Sequence, residues 1–201
     1  MSAIGILLAG GASRRFPAGK LEAKIPAALA ELRGRPELAG LALADAAHET
    51  LAAAVGRVIV LGEPTLASSA ECVPDARPGE GPAAPLSDLL TGDRLASLAD
   101  ETRVVILAAD APFAPPLLLG LMAAASSTVV VGADEPLPMA TSLGALRTAV
   151  SRAPLPRLRD LAAALSATPL DPRIVARLDP LGAACKDVDT VDDLDAGGSR
   201  P

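Results

Sequence analysis

The chain has 201 residues, half of them hydrophobic, and a formal net charge of −6. That length suits one large α/β domain with a sizeable core, and the acidic balance excludes a general nucleic-acid binder, which needs a basic field. With two Phe and neither Tyr nor Trp, the chain also lacks the aromatic surfaces on which single-stranded bases stack.

Short β-branched or Leu-rich runs at residues 4–8, 57–61, 103–107 and 128–131 predict strands. Longer Ala/Leu-rich stretches at 36–55, 82–98 and 115–124 predict helices between them. Strand–helix alternation with nearly continuous apolar strands is the pattern of a mostly parallel sheet covered on both faces. The expected fold is therefore α/β, a Rossmann-like three-layer α/β/α arrangement. Residues 25–32 read as an irregular insertion. Beyond residue 133 the pattern weakens, with helices expected at 148–152, 157–166 and 172–178. One domain is expected over residues 1–196, followed by a frayed tail at 197–201. His48, the lone histidine, has no Ser or Cys partner motif and reads as a helix-surface or helix-packing residue. Cys72 and Cys185 lack metal-ligand spacing and are expected to be reduced.

Ligands of such sheets bind at the carboxyl ends of the strands, and three polar loops fall there. The first strand runs into Ala9-Gly10-Gly11-Ala12-Ser13-Arg14-Arg15-Phe16-Pro17-Ala18-Gly19-Lys20. Adjacent glycines let backbone N–H groups converge on an anion, and the arginines and Lys20 bring positive charge. The GxGxxG dinucleotide fingerprint is absent. Arg14 and Leu21 break a Walker A match at the first glycine and the hydroxyl position. The loop is thus a phosphate cradle of another kind or a turn with a solvated basic patch.

The second loop, Asp75 to Leu86, reads either as a ligand-contacting segment or as a Pro/Gly surface loop capping the helix that starts at Pro82. The third follows an almost fully apolar strand and carries Asp110-Ala111-Pro112-Phe113. A carboxylate at a buried strand tip is costly unless paired or bound to a cation, and Mg²⁺ favours one or two such groups with phosphate oxygens and water. The alternative is a helix cap. Near the end of the chain, Asp187 and Asp189 alternate in an extended segment, so both can point to one side. Thr190 then caps a short helix with Asp193 in the capping-box position. The two acids are equally readable as solvated groups flanking that cap.

Leu8-Ala9-Gly10-Gly11-x-Ser13-x-Arg15-Phe16-x-x-x-Lys20 resembles the LAGGxSxRMGxxK motif of MobA-like nucleotidyltransferases, whose best-known members are molybdenum cofactor guanylyltransferases. The segment with Asp75 and Gly81-Pro82 resembles the family's aspartate and G-P-L-A-G loop, with Ala83 for Leu and Pro85 for the last Gly. Asp110-Ala111-Pro112-Phe113 resembles D-M-P-F, and residues 187–194 resemble D-x-D-T-P-E-D-L. The sequence departs at Phe16, Pro17 and Gly19, at Val191, and at Leu61-Gly62, where family members often carry a base-contacting Asn.

The resemblance implies that Leu8, Ala9 and Gly10 contact a nucleotide, with Gly11 beside them. Arg15 and Lys20 would meet its phosphates, Asp75 would bind the nucleotide, and Gly81 and Pro82 would pass its base. Asp110 would hold Mg²⁺, with Asp189 and Asp187 as a second approach to metal and acceptor. Leu137-Pro138-Met139 faintly matches the acceptor region. Arg147, Arg152, Arg157 and Arg159 read as solvated helix faces or as part of an acceptor pocket. The implied reaction is transfer of GMP from GTP to the phosphate of molybdopterin. Alternatives are another triphosphate or acceptor, a sugar phosphate among them, or a non-catalytic nucleotide binder on the same fold. No nucleic acid or membrane partner is expected, and the chain is expected to be a monomer or weak homo-oligomer. No run approaches the roughly 18 apolar residues of a membrane span. The apolar start lacks a signal peptide's basic flank, so the cytoplasm is the expected location.

Overall fold

The computed structural model describes residues 3–10, 19–62, 70–77, 79–152 and 157–195. Strand β1 (Ala3–Leu8) lies at the centre of the sheet, between β2 (Arg57–Leu61) and β4 (Arg103–Ala108), parallel to both. The order across the sheet is β3-β2-β1-β4-β6-β5-β7, with β3 at Glu71–Val73, β5 at Val129–Val130, β6 at Met139–Ser142 and β7 at Thr168–Pro169. Among the described strands, only β6 runs against its neighbours β4 and β5. The chain builds outward from β1 through β2 to β3, then crosses to β4, so the topological switch point is the crevice above β1 and β4.

The uninterrupted apolar strands follow from what covers them. Leu7, Val58, Val60, Val105 and Leu107 face one layer, where α2 (Leu43–Val55) and α4 (Pro116–Ala124) pack. Ile4, Ile6, Ile59, Val104 and Ile106 face the other, against α3 (Ala83–Thr91) and α5 (Leu143–Arg152). Alternate residues point to opposite faces, and both faces are dry. Helices α6 (Leu158–Ala164) and α7 (Pro172–Leu178) extend the two layers, and α8 (Val191–Asp195) closes the described chain.

Residues 25–32 are not irregular. Ala27–Leu32 form α1, and Ile25, Leu29 and Ala30 are buried. Together with Leu38, Phe113, Ala183, Val188 and Leu194 they make a third, smaller core, gathered from segments remote from one another in sequence. The expected helix at 36–55 begins later, at Leu43, after a 3₁₀ turn at Pro36–Leu38. The helix expected at 82–98 ends at Thr91, and a 3₁₀ turn follows at Asp93–Leu95. His48 is half-buried on α2, as a helix-packing residue would be. The 197–201 tail lies outside the described residues.

Candidate active site

The first strand delivers its backbone to the switch point. Ala9 donates its N–H to Leu61 O at 2.8 Å, and Ala109 donates to Leu8 O at 2.9 Å, so Leu8-Ala9-Gly10 continues flush with β2 and β4. Gly62 is what allows this closeness. Its φ is +122°, and a Cβ there would stand 2.7 Å from Ala9 O and 3.0 Å from Gly10 N, both backbone atoms. A position at which the sequence suggests a missing Asn is instead reserved for glycine by packing. Asp75 stands over the same turn: a Cβ on Gly10 would lie 3.7 Å from its Oδ2. Gly11 and Arg15 lie outside the described residues.

Arg77 organises the middle loop. Its backbone N–H donates to Asp75 Oδ1 at 2.9 Å, and its guanidinium donates to both oxygens of Asp88, to Glu80 Oε2 and to Ala84 O. The loop is thereby clipped to α3, with Gly81 (φ +87°) and Pro82 at the entry to that helix. Pro85 sits buried in the first turn of α3, where an N–H has no intrahelical acceptor to lose.

Lys20 opens a 3₁₀ turn (Lys20–Glu22) and reaches across the crevice. Its Nζ donates to Asp110 Oδ2 and to Asp189 Oδ1, both at 2.8 Å. Its side chain is 9 % exposed, against 29 % for Asp110 and 45 % for Asp189. Burial by itself lowers a lysine's pKa, but hydrogen bonds and the charges of the two carboxylates outweigh it, and the ammonium is held above its ordinary value.

Asp187 joins them: carboxylate oxygens of Asp110, Asp187 and Asp189 lie within 4.8 Å of one another. Burial, then the charge of Asp189, pushes the Asp187 carboxyl above the usual range, with a further push from Asp110. Among the described residues, Lys20 donates to two of the three carboxylates. Three hard carboxylate oxygens so grouped are the donor set a divalent cation such as Mg²⁺ takes.

The backbone explains the convergence. Val188 donates its N–H to Asp110 O at 2.8 Å and buries its side chain in the third core. Its neighbours Asp187 and Asp189 therefore flank the Asp110 loop. Two further carbonyls of that loop are held: Pro112 O by Thr50 Oγ1 at 2.8 Å, and Ala114 O by Arg35 Nη1 at 3.0 Å. Downstream, Asp193 Oδ2 accepts from the N–H groups of Asp189 and Thr190 and from Thr190 Oγ1, while Asp193 N–H donates to Thr190 Oγ1 at 3.3 Å. The capping box read from the sequence is present.

Three positioning residues escape a reading by motif. Asp179, 5 % exposed, accepts from Ala183 N–H and Ala184 N–H at 2.8 Å and fixes the turn that feeds Asp187. The Asp-Pro-x-Gly pattern at residues 179–182 is its visible signal. What Arg35 and Gly62 do for these loops gives no such signal, because Ala114 O, Ala9 O and Gly10 N are remote from them in sequence. Of the four arginines between 147 and 159, Arg147 is tied to Asp100, Leu95 O and Leu98 O. Arg159 lines a cleft that also reaches Glu135.

The fold and the site define an α/β protein with an acidic cluster and a half-buried lysine beside a glycine turn at the switch point. The profile of the MobA-like NTP transferase domain matches residues 5–180, and the chain belongs to that family. Its fold is that of molybdopterin-guanine dinucleotide biosynthesis protein A from Archaeoglobus fulgidus (TM-score 0.65, 17% identity, 96% of each chain covered). It is also that of a nucleotidyl transferase from Methanothermobacter thermautotroptrophicus (0.63, 14%, 96% of this chain and 94% of that one). A third likeness is to 2-C-methyl-D-erythritol 4-phosphate cytidylyltransferase from Thermus thermophilus (0.56, 16%, 96% and 95%). At these identities the likeness is one of fold. No curated protein matches the sequence. Among the described residues, no helix is long and apolar enough to cross a membrane.

Proposed function

We propose that the chain transfers a nucleoside monophosphate, GMP from GTP, to the phosphate of molybdopterin with release of pyrophosphate. The observation that carries the transferase reading is the meeting of Lys20 with Asp110 and Asp189, beside the Gly10 turn. An oxygen of the acceptor phosphate attacks the α-phosphorus in line. A P–O bond forms there as the bond to the bridging oxygen of the β-phosphate breaks, and the electron pair leaves with pyrophosphate. Positioning and charge neutralisation are the protein's task in such a transfer.

Leu8, Ala9 and Gly10 floor the nucleotide site, and Asp75 stands at its wall. Gly81 and Pro82 border the base. Lys20 carries positive charge to the phosphates while remaining tethered to the acids. Gly11 and Arg15 are assigned to the phosphates by the motif. Asp110, with Asp187 and Asp189, would hold Mg²⁺, which supplies electrophilic assistance and charge neutralisation when bound. The choice of GTP and molybdopterin rests on the motif's resemblance and on the fold shared with the Archaeoglobus molybdopterin-guanine dinucleotide biosynthesis protein. The cytidylyltransferase likeness keeps CTP and another phosphorylated acceptor as the second reading.

A screen of four triphosphates against candidate acceptors, read as pyrophosphate release with Mg²⁺, tests the assignment. Release with GTP and molybdopterin is expected; release only with CTP selects the second reading. Lys20→Ala and Asp110→Ala should each lower turnover by at least about 10²–10³, with an unchanged circular-dichroism spectrum. Wild-type turnover in either variant removes the site assignment, and nucleotide binding without release identifies a non-catalytic binder.

A further inference from the structure

The base side of the proposed nucleotide site is rich in glycine, which by itself would make it loose. Gly79 (φ +95°) and Gly81 (φ +87°) flank Glu80, and glycine loses more conformational freedom on ordering than any other residue. A free loop of this kind samples many shapes, and a ligand that needs one of them binds more weakly in proportion. Here the loop is tied. The Arg77 guanidinium grips both oxygens of Asp88, Nε donating to Oδ2 at 3.2 Å and Nη2 to Oδ1 at 2.8 Å. Nη2 also donates to Ala84 O and Nη1 to Glu80 Oε2, each at 3.1 Å.

These partners differ in what holds them. Ala84 and Asp88 lie four residues apart on α3 and share a face, while Leu86, Leu89 and Leu90 of the same helix are buried in the second core. Glu80 sits between the two glycines. Arg77 therefore ties the glycine segment to a helix that the core fixes. Its backbone acts on the other side of the loop. The N–H donates to Asp75 Oδ1 at 2.9 Å, and the second oxygen, Oδ2, stands 3.7 Å from where a Gly10 Cβ would be. One residue thus holds both the loop and the acid at the wall of the site.

The Arg77 and Asp88 side chains are 42 % and 44 % exposed, and an ion pair so placed adds little to stability. Its form is nonetheless particular: a planar fork across two oxygens, which an ammonium does not reproduce. We propose that Arg77 is a positioning residue for base discrimination, its fork on Asp88 holding the loop and Asp75 in the shape that reads the nucleoside. This rests on the transferase reading above. The phosphate end is served by other residues, Lys20 and its two aspartates. Losing the fork therefore weakens the grip on the nucleoside and leaves the grip on the phosphates.

Calorimetric titration of the full chain with Mg²⁺ present tests this. The ligands are non-hydrolysable analogues of the four ribonucleoside triphosphates, and inorganic tripolyphosphate, which has the phosphates without sugar or base. The wild type should prefer one analogue. In Arg77→Met that analogue should bind about tenfold more weakly, as when a ready-made shape becomes a minor one. Its margin over the weakest analogue should shrink by a similar factor, with tripolyphosphate affinity unchanged. Arg77→Lys should resemble Arg77→Met, and Asp88→Asn should narrow the margin from the other side of the fork. The double variant Arg77→Met/Asp88→Asn should lose no more than the larger single loss, since both remove one contact. Equal losses for nucleotide and tripolyphosphate would put Arg77 on the phosphates and overturn the proposal. So would an unchanged margin in Arg77→Met, or a wild type that binds tripolyphosphate yet prefers no analogue. A chain that binds neither tripolyphosphate nor any analogue removes the transferase reading, and this proposal with it.

Discussion

Gly62 shows how one residue can decide the shape of a site without touching a ligand. Its missing Cβ leaves room for Ala9 O and Gly10 N, at 2.7 and 3.0 Å from where that atom would stand. Neither neighbour can rotate away, because both are backbone. Gly62→Ala adds this overlap to an unfavourable φ, and overpacking of this kind costs about 1–3 kcal/mol. Thermal unfolding should register that loss. Triphosphate affinity should fall with it, since the turn that is displaced is the one flooring the proposed nucleotide site. Unchanged affinity together with unchanged stability would mean that the closeness of β2 to Gly10 is unimportant. The same residue marks a limit of reading by motif. Comparison with the family pattern registers an absent Asn, whereas the packing of two loops 52 positions apart accounts for the glycine that is there.

At the scale of elements, long apolar runs were legible and short ones were not. Past the exposed Arg57, the strands at 57–61 and 103–107 are dry on both faces, and that doubled burial is what makes their sequence continuous. β3 and β7 span three and two residues and carry exposed or half-buried positions, so no periodicity can announce them. β6, Met139–Ser142, lacks a Val or Ile and owes its place to antiparallel pairing with β4 and β5. α1 was hidden for another reason. It buries only Leu29 and Ala30 within its own length, and the core it joins is completed by Phe113, Val188 and Leu194. By contrast, the α8 cap was readable because Thr190 and Asp193 are three residues apart and the chemistry is local.

That cap makes an element-level prediction. Burial raises the Asp193 pKa, but hydrogen bonds from Thr190 and Asp189 N–H, with the charge of Arg33, outweigh it and hold the carboxyl below its ordinary value. A lowered folded-state pKa contributes stability that is complete above the unfolded value, about 3.9, and is lost as pH falls through the folded one. Asp193→Ala should cost about 1 kcal/mol at neutral pH. The gap between wild type and variant, followed by urea unfolding, should close in acid below about pH 4. A gap that persists there would assign the cap's value to packing of Leu194 rather than to the ionised carboxylate.

Across the whole molecule, sheet order and the third core do one job together. The order β2-β1-β4 sets the Gly10 turn beside the Asp110 loop, and the third core pulls α1, Phe113 and the Val188 segment under that loop. Three carboxylates are thus held together by a rigid scaffold, with Lys20 donating to two of them. A folded state that gathers three carboxylates gains stability from a cation that binds it and not the unfolded chain. Mg²⁺ at ten times its dissociation constant should stabilise the fold by about 1.4 kcal/mol, or roughly 3–6 °C in Tm for a chain of this size. Asp110→Asn should reduce the shift by weakening the donor set. Lys20→Met should enlarge it at equal Mg²⁺, because the competing ammonium is gone, even though turnover is lost. A wild-type Tm indifferent to Mg²⁺ and to its removal by chelator would mean that protein groups already satisfy the acids. A shift that survives Asp110→Asn unchanged would place the cation elsewhere on this acidic chain.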